Sequence, residues 1–204
     1  MDKTVFAMRR ILLAATFFWA LGSSAQTPMS QVLKQMPDSL VPYLSENNKL
    51  DLIDFLDSNM KAEVHNQLEG KTELVSMTER SAVLQLNEAT RLDFRLLDVA
   101  EPVDSASQIV CLISTYGTDV RDSQLTFYST RWRKLDATPY ITLPAEMFTA
   151  SFSDDERQPV LTLRMAHQLD YPATDEQKFI GESITNLKWN SKVFDRDYSK
   201  TILL

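Results

Sequence analysis

The chain is short of the residues that build most reactive centres. Its 204 residues include four glycines, one cysteine and two histidines. So few glycines leave little scope for phosphate-cradling loops, and Gly70-Lys71-Thr72 lacks the upstream glycine such a loop needs. A lone Cys111 forms no internal disulfide, and in an exported chain a single thiol is safest buried. His65 and His167 lie far apart and no second cysteine accompanies them, so no zinc set of His and Cys is expected. No metal or cofactor is implied. Past residue 25 the sequence has no apolar run of the roughly 20 residues that a membrane-spanning helix needs.

The first 25 residues read differently. Lys3, Arg9 and Arg10 precede an apolar run, Ile11 to Leu21, and Ser23 and Ala25 are small residues ahead of Gln26. This is the pattern of a cleaved export signal, with residues 26–204 left as a single domain. No cysteine stands at the cleavage point to take a lipid. Removing Asp2, Lys3, Arg9 and Arg10 lowers the count from 21 basic and 28 acidic residues to 18 and 27, a net charge of −9. Such a chain is repelled by nucleic acid and by anionic membrane surfaces.

The most apolar stretch that remains is Gln108 to Tyr116. It is rich in β-branched residues and stops at Gly117. Ile109, Cys111 and Ile113 alternate with Val110, Leu112 and Tyr116, so both faces are apolar and the strand belongs inside the molecule. Around it the period changes once. Residues 26–69 carry helical spacing: Met29, Val32, Leu33 and Met36 before Pro37, then Leu52, Ile53, Leu56 and Met60 behind an Asn48 cap, with Gly70 as a stop. Residues 61–69 also alternate, which leaves helix and strand open there. From Lys71 the spacing is two. Strands are predicted over 72–77, 82–86, 91–99, 108–116, 123–132, 160–169 and 184–189, with a bulge at Leu96-Leu97, a loop over 100–105 and a loop or short helix over 173–182. The expected fold is α+β: an N-terminal helical layer (26–69) packed on a mainly antiparallel sheet of about six to eight strands (70–198).

Candidate chemistry is sparse. Asp51, Asp54 and Asp57 form a solvated acidic helix face rather than a calcium loop, which needs its own spacing and glycine. Ser58-Asn59-Met60-Lys61 has the spacing of a serine acylase without that class's other motifs. His167 and Asp170 lack an exposed serine on a nucleophile elbow. No residue is assigned a catalytic role. The binding candidates are Tyr116, Tyr128, Trp132 and Trp189, aromatics on sheet faces that either line a groove for a peptide, glycan or lipid or cover the edge of the core. Two Trp-containing corners, 125–136 and 184–195, form a short internal echo.

The runs Met36-Pro37-Asp38-Ser39-Leu40-Val41-Pro42-Tyr43-Leu44 and Asn48 to Ser58, with Glu101 to Ser105 and Ser107 to Cys111, resemble a domain-of-unknown-function family. Its members are small exported proteins of the Bacteroidales. The resemblance implies a Gram-negative periplasmic or secreted setting and transfers no activity. The expected function is a non-enzymatic envelope protein that binds a protein partner or an apolar, peptide or glycan ligand. The alternative is a hydrolase acting on cell-wall or glycan material through two carboxylates.

Overall fold

The computed structural model describes residues 26–168 and 180–196. The expected export signal, most of the 173–182 segment and residues 197–204 lie outside them.

Two short helices come first, α1 (Met29–Lys34) and α2 (Glu46–Asp57), with a 3-10 turn at Asp38–Leu40 between them. The cap of α2 is Ser45 and not Asn48. The Ser45 hydroxyl accepts the Asn48 amide at 3.1 Å while the Asn48 side chain accepts the Ser45 amide at 3.2 Å. This reciprocal pair satisfies two orphan donors at once, a stronger signal than one polar residue in front of an apolar run. The helix ends before Asn59, which adopts the left-handed conformation at φ 56°. Residues 61–69 therefore do not continue it. They supply β1 (Glu63–His65) and a turn in which Asn66, and not a helix end, holds Gly70.

The remaining strands are β2 (Lys71–Met77), β3 (Ser81–Asn87), β4 (Thr90–Val103), β5 (Ala106–Tyr116), β6 (Asp122–Ser129), β7 (Lys134–Leu135), β8 (Thr149–Phe152), β9 (Val160–Gln168), β10 (Ile180–Trp189) and β11 (Phe194–Arg196). Every pairing is antiparallel between sequence neighbours. The fold is thus sheet-dominated, but the expected single sheet is two: seven strands in the order β1 to β7, and four in the order β11-β10-β9-β8. Residues 136–148 make the break. Pro139 and Pro144 have no N–H to donate to a ladder, so the chain leaves the first sheet and starts a second.

Two local expectations change with it. The Leu96-Leu97 pair is not a bulge, since the register runs unbroken through Leu96↔Val110 and Leu97↔Ile109. Nor is 100–105 a loop. β4 runs on to Val103, and the chain reverses over Asp104 and Ser105, both at positive φ, as a two-residue hairpin turn requires. At the other end of β5, Gly117 sits at φ 102°, and a side chain there would strike the Val120 carbonyl.

β4 and β5 form the wall between two cores. Leu92, Phe94, Leu96, Val110 and Leu112 join Met29, Val32, Leu33, Leu52 and Ile53 in one cluster. Leu97, Ile109, Cys111 and Ile113 join Phe127, Leu161, Leu163, Leu187 and Trp189 in the other. Burying each large aliphatic or aromatic side chain contributes about 1.5–3 kcal/mol. Each core is bolted by an indole. Trp132 donates to the Val32 carbonyl at 2.8 Å, tying α1 down. Trp189 donates to the Asp98 carbonyl at 2.7 Å, tying the second sheet to β4. A third fastening is Ser123, whose amide donates to the Phe148 carbonyl and whose hydroxyl accepts the Ala150 amide.

Candidate functional site

The unusual chemistry lies at the seam where the β8–β9 connection crosses the β2–β3 turn. Arg95 stands opposite Cys111 on β5 and Ser81 on β3, on the face that looks toward the second sheet. It is 6% exposed. Its Nη2 donates to the Ser153 carbonyl at 2.9 Å, and its guanidinium stacks 5.1 Å from the Phe152 ring, a cation–π contact. Its Nε and Nη1 are buried and have no partner. A buried donor left unpaired costs on the order of 1–3 kcal/mol.

Arg80, from the β2–β3 turn, is a second cation at this end of the sheet, but it and Asp98 share the helix-side face with Ala82 and Leu96. Its Nη2 lies 2.8 Å from Asp98, while its Nε and the other Asp98 oxygen, Oδ1, are buried without partners. Arg80 is near enough to repel Arg95, and Glu156, Asp154 and Asp93 attract it. Burial pushes the Arg95 pKa down, with those charges working against one another. The guanidinium stays charged all the same.

Glu156 is the acid of this seam, and it does not pair with either arginine. Its Oε1 accepts the Ser81 hydroxyl at 2.6 Å and the Thr78 hydroxyl as well. Burial pushes its pKa up, but the two hydroxyls and the charges of Arg95 and Arg80 outweigh that and hold it below the usual range. Asp155, beside it, caps the turn by accepting the Arg157 and Gln158 amides.

The four aromatic candidates are not brought together. Tyr128 and Trp132 are buried in the helix-side core, their rings 5.5 Å apart. Trp189 is buried in the inter-sheet core against Phe194. Tyr116 is 48% exposed at the end of β5, opposite Asp122. An apolar recess lies between the helices and the first sheet, lined by Leu33, Met36, Leu44, Leu52, Ile53, Leu74 and Leu84 with the Lys49 stem. Its free space of about 20 Å³ is about what one water needs.

The other sequence candidates are placed as follows. Asp51, Asp54 and Asp57 are exposed on α2. Lys61 donates to Glu63 at 2.6 Å, and that bond raises its pKa, the opposite of what a general base requires. His167 lies in β9, and Asp170 is outside the described residues. Cys111 is wholly buried, and desolvation pushes its thiol well above the ordinary value. Among the described residues, no group of three or more His, Cys, Asp or Glu is placed to hold a metal ion. No helix among them is long and apolar enough to cross a membrane.

Sequence reading missed Arg80, Arg95, Asp98 and Glu156. A signal was present. If β5 is apolar on both faces, whatever pairs beside Cys111 is covered as well, and an arginine there is a buried charge.

No curated protein matches the chain. Among solved structures, a domain of an uncharacterized protein from Porphyromonas gingivalis W83 is similar. Its TM-score is 0.63 at 17% identity, and the match covers 85% of this chain and 100% of that one. At that identity the likeness speaks for the fold alone. The family model described as "Protein of unknown function (DUF3256)" matches residues 20–176, and the chain belongs to that family.

Proposed function

We propose that this protein is a non-enzymatic binding module of a Gram-negative cell envelope, exported by its first 25 residues and acting in the periplasm or outside the cell. In this reading the N-terminal helices are a covering layer over the outer face of the first sheet, and recognition belongs to the seam on its other side. The observation that carries the reading is Arg95, a buried cation with two nitrogens unpaired. Directed donors suit recognition, and the carboxylate at this seam, Glu156, is held below the usual range and accepts from the Ser81 and Thr78 hydroxyls, which makes it a poor base.

Two further observations weigh against a lipid tail in the apolar recess and against hydrolysis by carboxylates. The apolar recess holds about one water, far less than a lipid tail fills. A carboxylate-dependent hydrolase needs an acid whose pKa is raised. Among the described residues, Glu63, Asp104, Asp136, Asp155 and Glu156 are all shifted downward.

The test is native mass spectrometry of the protein purified from its own envelope. The expected result is a co-purifying protein or peptide that dissociates on unfolding. Recovery of the chain clean and empty contradicts the reading.

A further inference from the structure

The chain is fastened almost from the first residue past the expected export cut. Met29, which opens α1, is fully buried, and its amide donates to the Glu79 carbonyl at 2.9 Å. Before it, the Thr27 amide donates at 3.1 Å to Oε1 of Gln108, a side chain on β5 whose residue is 2% exposed. Pro28 stands between them as the cap of α1, and a residue that precedes proline is kept extended. Gln26 is the next residue outward, and it is exposed. The spacing of small residues puts the cut between Ala25 and Gln26. Once residues 1–25 are removed, Gln26 carries the new α-amine, and its carboxamide is open to that amine.

We propose that Gln26 is a modification site: the N-terminus of the mature protein, closed on itself as pyroglutamate. This rests on the export part of the reading above and on no part of the seam. The step balances within one residue. The α-amine nitrogen attacks Cδ of its own side chain, and the new bond closes a lactam. The bond from Cδ to Nε2 breaks, and that nitrogen leaves as ammonia with the proton the amine gives up. Nothing is oxidised or reduced, and no co-reactant is consumed. An α-amine is a weaker base than a lysine amine, so part of it is neutral and nucleophilic near pH 7.

The fold gives the closure a use. An open terminus can be shortened one residue at a time. Loss of Gln26 turns the Thr27 amide, the donor to Gln108, into a charged terminal amine. Loss of Thr27 and Pro28 removes the cap of α1 and does the same to the Met29 amide, the donor to Glu79. A lactam offers an aminopeptidase no α-amine, so the attachment of α1 to the first sheet is kept.

The test is mass spectrometry of the full chain purified from its own envelope, with free amines dimethylated before digestion. The label captures an open Gln26 amine, which then cannot close during handling. The expected N-terminal peptide starts at Gln26, is unlabelled at its terminus and is lighter by one ammonia, with fragment ions placing the loss at Gln26 and not at Gln31 or Gln35. Gln26→Asn, one methylene shorter, could close only a strained ring, and is expected to carry the label and lose no ammonia. A labelled Gln26 terminus overturns the proposal and leaves the export reading standing. A chain that retains residues 1–25 overturns both. A terminus beyond Gln26, or the same unlabelled loss in Gln26→Asn, overturns the proposal alone.

Discussion

The two faces of the β4–β5 wall make the most instructive comparison in the molecule. On the helix side, the polar groups within the core are matched, while Arg80 Nε and Asp98 Oδ1 at its rim are not. Gln108 accepts the Thr27 amide, Lys49 donates to the Met36 carbonyl and to Asp38, and the Thr72 hydroxyl donates to the Leu86 carbonyl. On the inter-sheet side the same strands bury Arg95 with two nitrogens unpaired and Cys111 with its thiol shielded. The helix-side core is built for stability. The inter-sheet core carries a polar cost at one end, and costs of that kind collect where a protein binds something.

The largest effects test whether these are two cores or one. Phe94 is buried on the helix side and Phe127 on the inter-sheet side. Replacing either by Ala is expected to cost about 3–5 kcal/mol, seen in denaturant unfolding as one transition moved to lower denaturant. If Phe127→Ala instead produces two transitions, with the second sheet lost first, the wall does not couple its faces. Next come the bolts. Trp132→Phe and Trp189→Phe each remove one indole hydrogen bond to a carbonyl and are each expected to cost about 1–2 kcal/mol. A neutral Trp189→Phe would mean that the second sheet is held by other contacts. Ser45→Ala breaks the α2 capping box and is expected to cost about 1 kcal/mol, with loss of helical signal ahead of sheet signal on heating.

The smallest effect is electrostatic. Hydrogen bonds from Lys61 and Lys71 hold the Glu63 carboxyl down at about 2, against an ordinary value of 4.5. A depressed carboxylate stabilises above its unfolded pKa, and that contribution is lost as pH falls through the folded one. Stability is therefore expected to decline between about pH 4.5 and 2, and Glu63→Gln to flatten that decline. The two lysines and Glu63 are near the surface, so added salt should shrink the difference between the proteins.

Much of the fold was legible in the residues. Ile109 to Ile113 alternate between two apolar faces because both are buried, and each face went to a separate cluster. What was illegible depended on a third layer. Leu96-Leu97 looks like an error in alternation only if one face is wet, and it is ordinary once both are dry. Asn48 looked like a cap because Ser45 and Asn48 share that role. The seam was hidden for a different reason. Ser81, Arg95 and Glu156 lie up to 75 positions apart in sequence, and no local pattern announces that two meanders will cross there. Trp132 and Trp189, candidates either for a groove or for covering the edge of the core, are buried in the two cores, and each binds a distant carbonyl with its indole.

Cys111 offers the most direct test of the buried wall, because it is a reporter already in place at the middle of β5. A thiol reacts as its thiolate and needs access, and in this fold it has neither. Its labelling by a small disulfide reagent across a denaturant series is expected to track global unfolding, with the same denaturant dependence. Labelling in native buffer at the rate of an unfolded chain would show that β5 is open on the inter-sheet face.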